Sequence, residues 1–272
     1  MTVPDTPTVE AVRHGDVVEI AFNRPERRNA LDLPSRALFA ARVRDAIEDE
    51  SVRAIVLTGR GGHFCAGGDI GSMNPDEGLS AEAGRARMRR ALRHVEALYT
   101  CDKPVVAAVE GCAFGGGFGL ALLADVIVAS ESARFCMSFA RIGLVPDSGS
   151  LYTLPRIVGV QRAKALLLSG RELGAHEARE WGLALEVTAA GRALERALEL
   201  AAALATASPV ATALTKTALA NTLSSDLRGM LEYEATAQGL AFSSDWHRDA
   251  ARRFLQREPS RFRWPEPRRP QT

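Results

Sequence analysis

The chain predicts an α/β fold in which strand and helix segments alternate over residues 1–192 and helices alone fill residues 193–272. Three observations carry this. Short apolar runs of strand length, Ala54-Ile55-Val56-Leu57-Thr58 and Val105-Val106-Ala107-Ala108-Val109, are separated by helix-period stretches. Each of these runs opens into a glycine loop, Gly59 to Gly68 after the first and Gly111 to Gly117 after the second. From Ala193 onward the pattern is helical throughout: Ala193–Thr206, Pro209–Ala220, Leu227–Phe242 and Asp245–Arg257.

The first elements are a hairpin, Thr8–Arg13 and Val17–Phe22, turning at His14-Gly15-Asp16. Arg24, Arg27 and Arg28 follow; each reads either as a phosphate contact, because guanidinium pairs well with phosphate, or as a solvated loop residue. Pro34–Asp49 is helical, with Leu38, Val43 and Ile47 on one stripe and Pro34 suited to an early helical position. Ile70 to Ser80 carries Gly, Asn, Pro and Asp and reads as a mobile loop placed to act as a lid. Ala81–Tyr99 reads as one long helix with Met88, Leu92, Val95 and Leu98 inward and His94 on its flank. Arg134–Cys136 begins a strand and loop that run to Leu144, and Pro146 to Ser150 is a turn opening a helix. Gln161–Ser169 and His176–Gly182 are short helices, and Leu185–Val187 is a strand. The tail from Arg257 to Arg269, rich in arginine and proline, reads as solvated.

Bulk properties narrow the function. At 272 residues, with 46% apolar and 25% charged residues, the chain is long enough to bury a sizeable core, as one large domain or as one domain with an appendage. A formal net charge of +1 supplies no global field to hold nucleic acid or an anionic membrane, so an anionic ligand has to be held by local groups. Met1 to Thr8 lacks the basic start and apolar core of a secretion signal, and the longest apolar segments are too short to span a bilayer. The four cysteines show no Cys-x-x-Cys spacing and read as buried thiols of a reducing cytoplasm; the five histidines are dispersed, and no metal site is expected.

The two glycine loops bear the chemistry. Without a Cβ, glycine lets main-chain N–H groups approach a bound oxygen, and the first N–H groups of a helix have no intrahelical partner. Two strands ending in two such loops supply one N–H each to a single oxygen. The pair Phe64-Cys65-Ala66-Gly67-Gly68-Asp69 and Gly111 to Asp125 resembles the crotonase, or enoyl-CoA hydratase/isomerase, superfamily. The likeness runs from Phe22-Asn23-Arg24-Pro25 and Asn29-Ala30-Leu31 to Phe254-Leu255, nearly the whole chain. It implies a spiral of ββα units followed by a helical C-terminal region that packs in a homotrimer or a dimer of trimers. It implies an acyl-CoA thioester as substrate, with coenzyme A entering as part of that substrate and no separate cofactor.

Matched residue by residue, the resemblance makes the amides of Gly68 and Gly116 the two donors to the thioester oxygen. It lays Ala66, Asp69 and Ile70 against the adenine and pantetheine portions, and it favours Arg24 as a further coenzyme A contact. The hydratases of the family activate water with two glutamates; here Gly119 and Phe139 stand in their places, and neither can deprotonate water. Phe139 becomes a candidate wall of the acyl pocket. Asp147, in Gly143-Leu144-Val145-Pro146-Asp147-Ser148-Gly149, occupies a position where the family places a catalytic aspartate. It sits at a helix start, so an N-cap reading stands beside the catalytic one. The run Pro146-Asp147-Ser148-Gly149, with Leu154-Pro155-Arg156, is most similar to the isomerases of phenylacetate pathways.

The expectation is therefore an isomerase that shifts a double bond through an enolate, with Asp147 as proton shuttle. Two readings compete: Asp147 as nucleophile on an aryl thioester, in a hydrolase or dehalogenase, and a catalytically silent acyl-CoA-binding protein. Among the other carboxylates, Asp125 and Asp69 read as structural and Glu110 as exposed, while Lys103 and Lys216 read as surface groups.

Overall fold

The computed structural model describes residues 6–72 and 80–266. Strands β1 (Val9–His14) and β2 (Val17–Phe22) form the antiparallel hairpin, and helix α1 (Leu33–Glu48) follows. Then come β3 (Ala54–Gly59), α2 (Ala81–Ala91), α3 (Arg93–Thr100), β4 (Val105–Val109), β5 (Cys112–Phe114), α4 (Gly116–Ala121), β6 (Val126–Ser130) and β7 (Arg134–Cys136). The chain continues through α5 (Ser150–Val158), α6 (Val160–Ser169), β8 (Glu172–Gly174), α7 (Ala175–Glu180) and β9 (Glu186–Thr188). It ends in α8 (Ala193–Ala205), α9 (Pro209–Asn221), α10 (Leu227–Phe242) and α11 (Asp245–Leu255).

Six strands form one sheet in the order β1-β2-β3-β4-β6-β9, parallel from β2 onward, and β5-β7-β8 form a second, smaller sheet. The period of two along each strand sends its residues to two different cores. Ile55, Leu57, Val105 and Ala107 face the main core with Phe22, Phe39, Phe64 and Phe118. Ala54, Val56, Val106 and Ala108 face the other way, where α8 covers them with Ala193, Ala197, Leu200 and Ala201. Small residues on both sides let α8 lie close to the sheet. This is the crotonase-type arrangement expected from the resemblance, with helices at the C-terminal end.

Charged side chains tie these layers together. Glu110, expected at the surface, instead receives the N–H groups of Gly191 (3.1 Å) and Ala193 (3.0 Å) and so caps the start of α8 from across the sheet. Glu110→Ala removes both bonds and is expected to lower stability by about 1–2 kcal/mol, read from urea unfolding. Asp125 does serve structure: its Oδ2 accepts from Val105 N (2.7 Å) and Lys216 Nζ (2.5 Å). Lys216 is thereby drawn from α9 onto the strand ends, and Lys103 Nζ reaches the carbonyls of Ala46 (2.9 Å) and Asp49 (2.7 Å) at the end of α1.

Some boundaries differ from expectation. The single helix expected over Ala81–Tyr99 breaks at Leu92, whose N–H bonds to Met88 O and Arg90 O before the chain restarts as α3. Of the expected lid over Ile70–Ser80, residues 73–79 lie outside the described residues, and Ile70–Ser72 is a 3-10 turn. The tail is not wholly solvated: the buried Arg196 guanidinium donates to Glu266 O (2.9 Å) while pairing with Glu186 (2.8 Å), which folds residues 265–266 back onto α8. Among the described residues no single helix is long and apolar enough to cross a membrane.

Candidate active site

Two glycine loops meet at the ends of β3 and β4. Leu31 N donates to Gly67 O (2.7 Å) and Asp69 N donates to Leu31 O (3.0 Å), so Leu31 is bridged in parallel to Gly68. In such a bridge the intervening residue turns its own N–H and C=O the other way, and the Gly68 amide therefore points away from Leu31. Cys65 ties the same loop to β5, donating to Cys112 O (2.9 Å) and accepting from Phe114 N (2.9 Å).

Glycine is required where the loops touch. Gly67 has φ +93°, and a Cβ there would lie 2.7 Å from Phe114 O and 3.3 Å from Gly116 N. A Cβ on Gly117 would lie 2.2 Å from Cys65 O. Gly116 is the first residue of α4, so its N–H has no intrahelical acceptor. Among the described residues neither the Gly68 nor the Gly116 amide has a hydrogen-bond partner.

Asp147 faces Gly116. A Cβ built on Gly116 would lie 3.3 Å from Asp147 Oδ1 and 3.2 Å from Ser148 Oγ. The N-cap reading of Asp147 gives way: α5 begins at Ser150 behind Gly149, with no side-chain cap. Asp147 holds that turn through its carbonyl, which accepts the Ser150 N–H (3.0 Å) and hydroxyl (2.7 Å), and its carboxylate is left turned toward Gly116. Ser148 donates its hydroxyl to Asp147 Oδ1 (2.9 Å) from a left-handed backbone, φ +53°, a conformation that costs a non-glycine residue about 1–2 kcal/mol. Burial pushes the Asp147 carboxyl above its ordinary value of 3.8; the Ser148 hydroxyl and the Arg36 guanidinium pull it partly back.

The other expected site residues sit around this centre. Phe139 is buried beneath Gly115, its ring 3.8 Å from where a Gly115 Cβ would be. Ala66 is half-buried and donates to Arg28 O (2.9 Å), while Ile70 is exposed. Asp69 accepts from Gly71 N (3.1 Å) and pairs with Arg24 (3.1 Å). Arg24, the expected coenzyme A contact, is partly engaged within the protein. Its Nη1 is already spent on Ala30 O (2.7 Å), Asp32 (3.2 Å) and Asp69 (3.1 Å), so it braces the loop from behind. Arg27 and Arg28 are exposed beside it. Cys65 is a packing thiol, pushed up to about 12 by burial. Among the described residues no cluster of His, Cys, Asp or Glu could hold a metal ion.

Two further polar groups, Arg36 and His94, lie on the packed helices α1 and α3 beside the loops. Arg36, on the first turn of α1, donates its Nε to Leu31 O (3.4 Å), the carbonyl that also braces the Gly68 loop. His94 of α3 sets its ring edge-on to Phe39 at 5.3 Å and, half-buried, is pushed down to about 4 by desolvation, with Arg36 nearby adding to the shift. Its neighbour Val95 touches the turn after Asp147: a Cβ on Gly149 would lie 3.2 Å from Val95 Cγ1. Neither residue matches a motif, and only the packing of α3 on α1 brings them here.

The family profile for enoyl-CoA hydratase/isomerase matches residues 13–265. The chain is 35% identical over 247 residues to 1,2-epoxyphenylacetyl-CoA isomerase of Escherichia coli K12, covering 90% of this chain and 94% of that one. It is 39% identical over 243 residues to a probable enoyl-CoA hydratase of Rhodobacter capsulatus, covering 89% and 93%. A crystal structure of an enoyl-CoA hydratase/isomerase from Cupriavidus metallidurans CH34 superposes with a TM-score of 0.91 at 38% identity, covering 98% of this chain and 100% of that one. With its two unpaired loop amides and near-complete coverage by these relatives, the chain belongs to the enoyl-CoA hydratase/isomerase family, whose members process acyl-CoA thioesters.

Proposed function

We propose that this protein is an enoyl-CoA isomerase, moving a double bond along an acyl chain through an enolate. The observation that carries this reading is the position of Asp147 Oδ1 beside the amide of Gly116, with no other carboxylate acting on it among the described residues. The thioester oxygen would accept from Gly68 and Gly116 as negative charge develops on it. The Asp147 carboxylate would take a proton from one carbon and return it to another two positions away, which leaves the enzyme unchanged after each turnover. The exposed guanidiniums of Arg27 and Arg28, beside Ala66, suit the phosphates of coenzyme A, and Phe139 suits an apolar wall.

Hydration is disfavoured by volume as well as by missing carboxylates. A Cβ on Gly119 would lie 2.6 Å from Ser148 Cβ and 3.2 Å from Asp147 O, so the Asp147-Ser148 turn fills the space a glutamate there would need. Gly119→Glu is accordingly expected to give no hydratase activity and a lowered melting temperature. Gain of water addition to crotonyl-CoA in that variant would count against the isomerase reading.

The test is incubation in heavy water with a panel of enoyl- and aryl-CoA thioesters. Isomerisation predicts deuterium at the α or γ carbon of an enoyl substrate. Nucleophilic attack by Asp147 on an aryl thioester predicts instead a covalent aryl-enzyme, seen by mass spectrometry of the quenched reaction, and a silent binding protein predicts neither. The C-terminal helices would complete a homotrimer or a dimer of trimers. Leu227, Leu231, Phe242, Phe254 and Leu255 are all more than half exposed in the single chain. Light scattering reads that state directly.

A further inference from the structure

The turn that carries Asp147 holds two successive residues in the left-handed region, Ser148 at φ +53° and Gly149 at φ +78°. Glycine adopts that region freely, and a residue with a Cβ does not. Gly149 has a packing reason to be small as well, because a Cβ there would lie 3.2 Å from Val95 Cγ1. Serine stands at 148 against its backbone preference, and its side chain supplies the reason. The hydroxyl donates to Asp147 Oδ1 (2.9 Å), and among the described residues this is the only hydrogen bond the carboxylate makes. Ser148 Oγ and Asp147 Oδ1 lie together beside Gly116, 3.2 and 3.3 Å from where a Cβ on that residue would be.

The terminal torsion of an aspartate is broad, so a carboxylate without a partner swings over a range of orientations. A donor fixed by the adjoining backbone narrows that range. Oδ1 has a second lone pair, so it accepts the hydroxyl and can still take a proton. The bond is stronger to a charged oxygen than to a neutral one; it favours the ionised carboxyl and opposes the burial that disfavours it. The packed neighbours offer no substitute. Helix α4 carries no titratable side chain, His94 of α3 is neutral near pH 7, and Arg156 of α5 stacks over the Tyr152 ring at 3.4 Å. Arg36 of α1 is the one charged group that acts on Asp147 among the described residues, and it makes neither a hydrogen bond nor an ion pair with it.

We propose that Ser148 is a positioning residue for the proton transfer: its hydroxyl, presented by a left-handed backbone, holds the Asp147 carboxylate in one orientation beside Gly116 and keeps it ready to act as a base. This rests on the reading of Asp147 as proton shuttle and adds the group that acts through it.

Ser148→Ala keeps the Cβ and deletes the hydroxyl. Its kcat on an enoyl-CoA substrate is expected to fall about ten- to a hundredfold, the range of a hydrogen bond to a charged group. The Kd for saturated hexanoyl-CoA, measured by calorimetry, should not change. The acid midpoint of kcat/KM should move upward, since the donor that favours the ionised form is gone and a base must be ionised to act. A residue that merely held the turn would leave that midpoint in place. Carboxyl infrared bands read the same ionisation without turnover, as the parent spectrum minus that of Asp147→Asn, and Ser148→Ala minus the double variant. Glycine takes the left-handed backbone without strain, so Ser148→Gly decides if Ser148→Ala does not fold. An acid midpoint that stays at the parent value once the hydroxyl is removed would overturn the proposal, and so would a loss of activity lying wholly in KM. Full turnover by Asp147→Asn overturns the isomerase reading and this one with it. An inactive Asp147→Asn beside an unmoved midpoint in the Ser148 variant overturns this one alone.

Discussion

Asp147→Asn is expected to cut proton exchange at the substrate carbon by about a hundred- to ten-thousandfold while acyl-CoA binding is retained. The amide matches the carboxylate in shape and still accepts the Ser148 hydroxyl, so the turn Asp147-Ser148-Gly149 should persist. What it loses is the capacity to hold and return a proton. The pH profile of the unmodified enzyme carries the same signature. Burial raises the Asp147 carboxyl above 3.8, against the Ser148 hydroxyl and the Arg36 guanidinium; His94 of α3, pushed to about 4, is neutral and adds no charge near pH 7. A base must be ionised, so kcat/KM should fall toward acid with a midpoint above 3.8. The linked stability has the opposite sense. The folded pKa lies above the unfolded one, so this group's favourable contribution is complete below the unfolded value and is lost as pH rises through the folded value. At neutral pH the buried charge is thus a liability, and Asp147→Asn should be at least as stable as the parent in thermal unfolding. An inactive variant with an unchanged or higher melting temperature is the expected combination. Full turnover in the variant would remove Asp147 from the mechanism.

That aspartate was legible in the sequence because a short local motif carries it, and the same holds for the glycine loops. Gly67 and Gly117 are held by backbone contacts that no larger residue allows, so the chain advertises the loops they belong to. The strand runs were legible because β3 and β4 are buried on both faces and read as unbroken apolar stretches. Longer-range consequences were not. Glu110 follows β4 in the chain yet acts on the start of α8, some eighty residues later, through a contact that only the folded sheet creates. Arg24 has the residue type for phosphate, and its ion pairs with Asp32 and Asp69 form only once the loops fold together. The break at Leu92 falls on a strong helix former within a run of good helix formers, and the local pattern there gives no stop signal. Arg36 and His94 come together only because α3 lies on α1, and no local motif points to that contact.

Gly116→Pro should lower turnover by about a hundred- to a thousandfold, the usual cost of one oxyanion donor and equivalent to about 2.7–4 kcal/mol. Proline deletes the N–H and nothing else in the hydrogen-bond network, because that amide has no partner in the free protein. The backbone tolerates the exchange. Gly116 is the first residue of α4, where proline is favoured, and it lacks a positive φ. The preceding Gly115, at φ +51° and ψ −122°, holds the mirror image of an extended conformation, which glycine adopts freely ahead of a proline. The added Cβ meets Ser148 Oγ at 3.2 Å and Asp147 Oδ1 at 3.3 Å, side-chain ends that can shift by a few tenths of an ångström. Gly116→Ala introduces the same Cβ and keeps the N–H, so the ratio between the two variants isolates the amide from the crowding. Steady-state kinetics on a common enoyl-CoA, with melting temperatures to show that both variants fold, reads that ratio. If proline and alanine prove equally active, the thioester oxygen does not accept from Gly116, and the geometry that sets Asp147 beside that amide has no bearing on the chemistry.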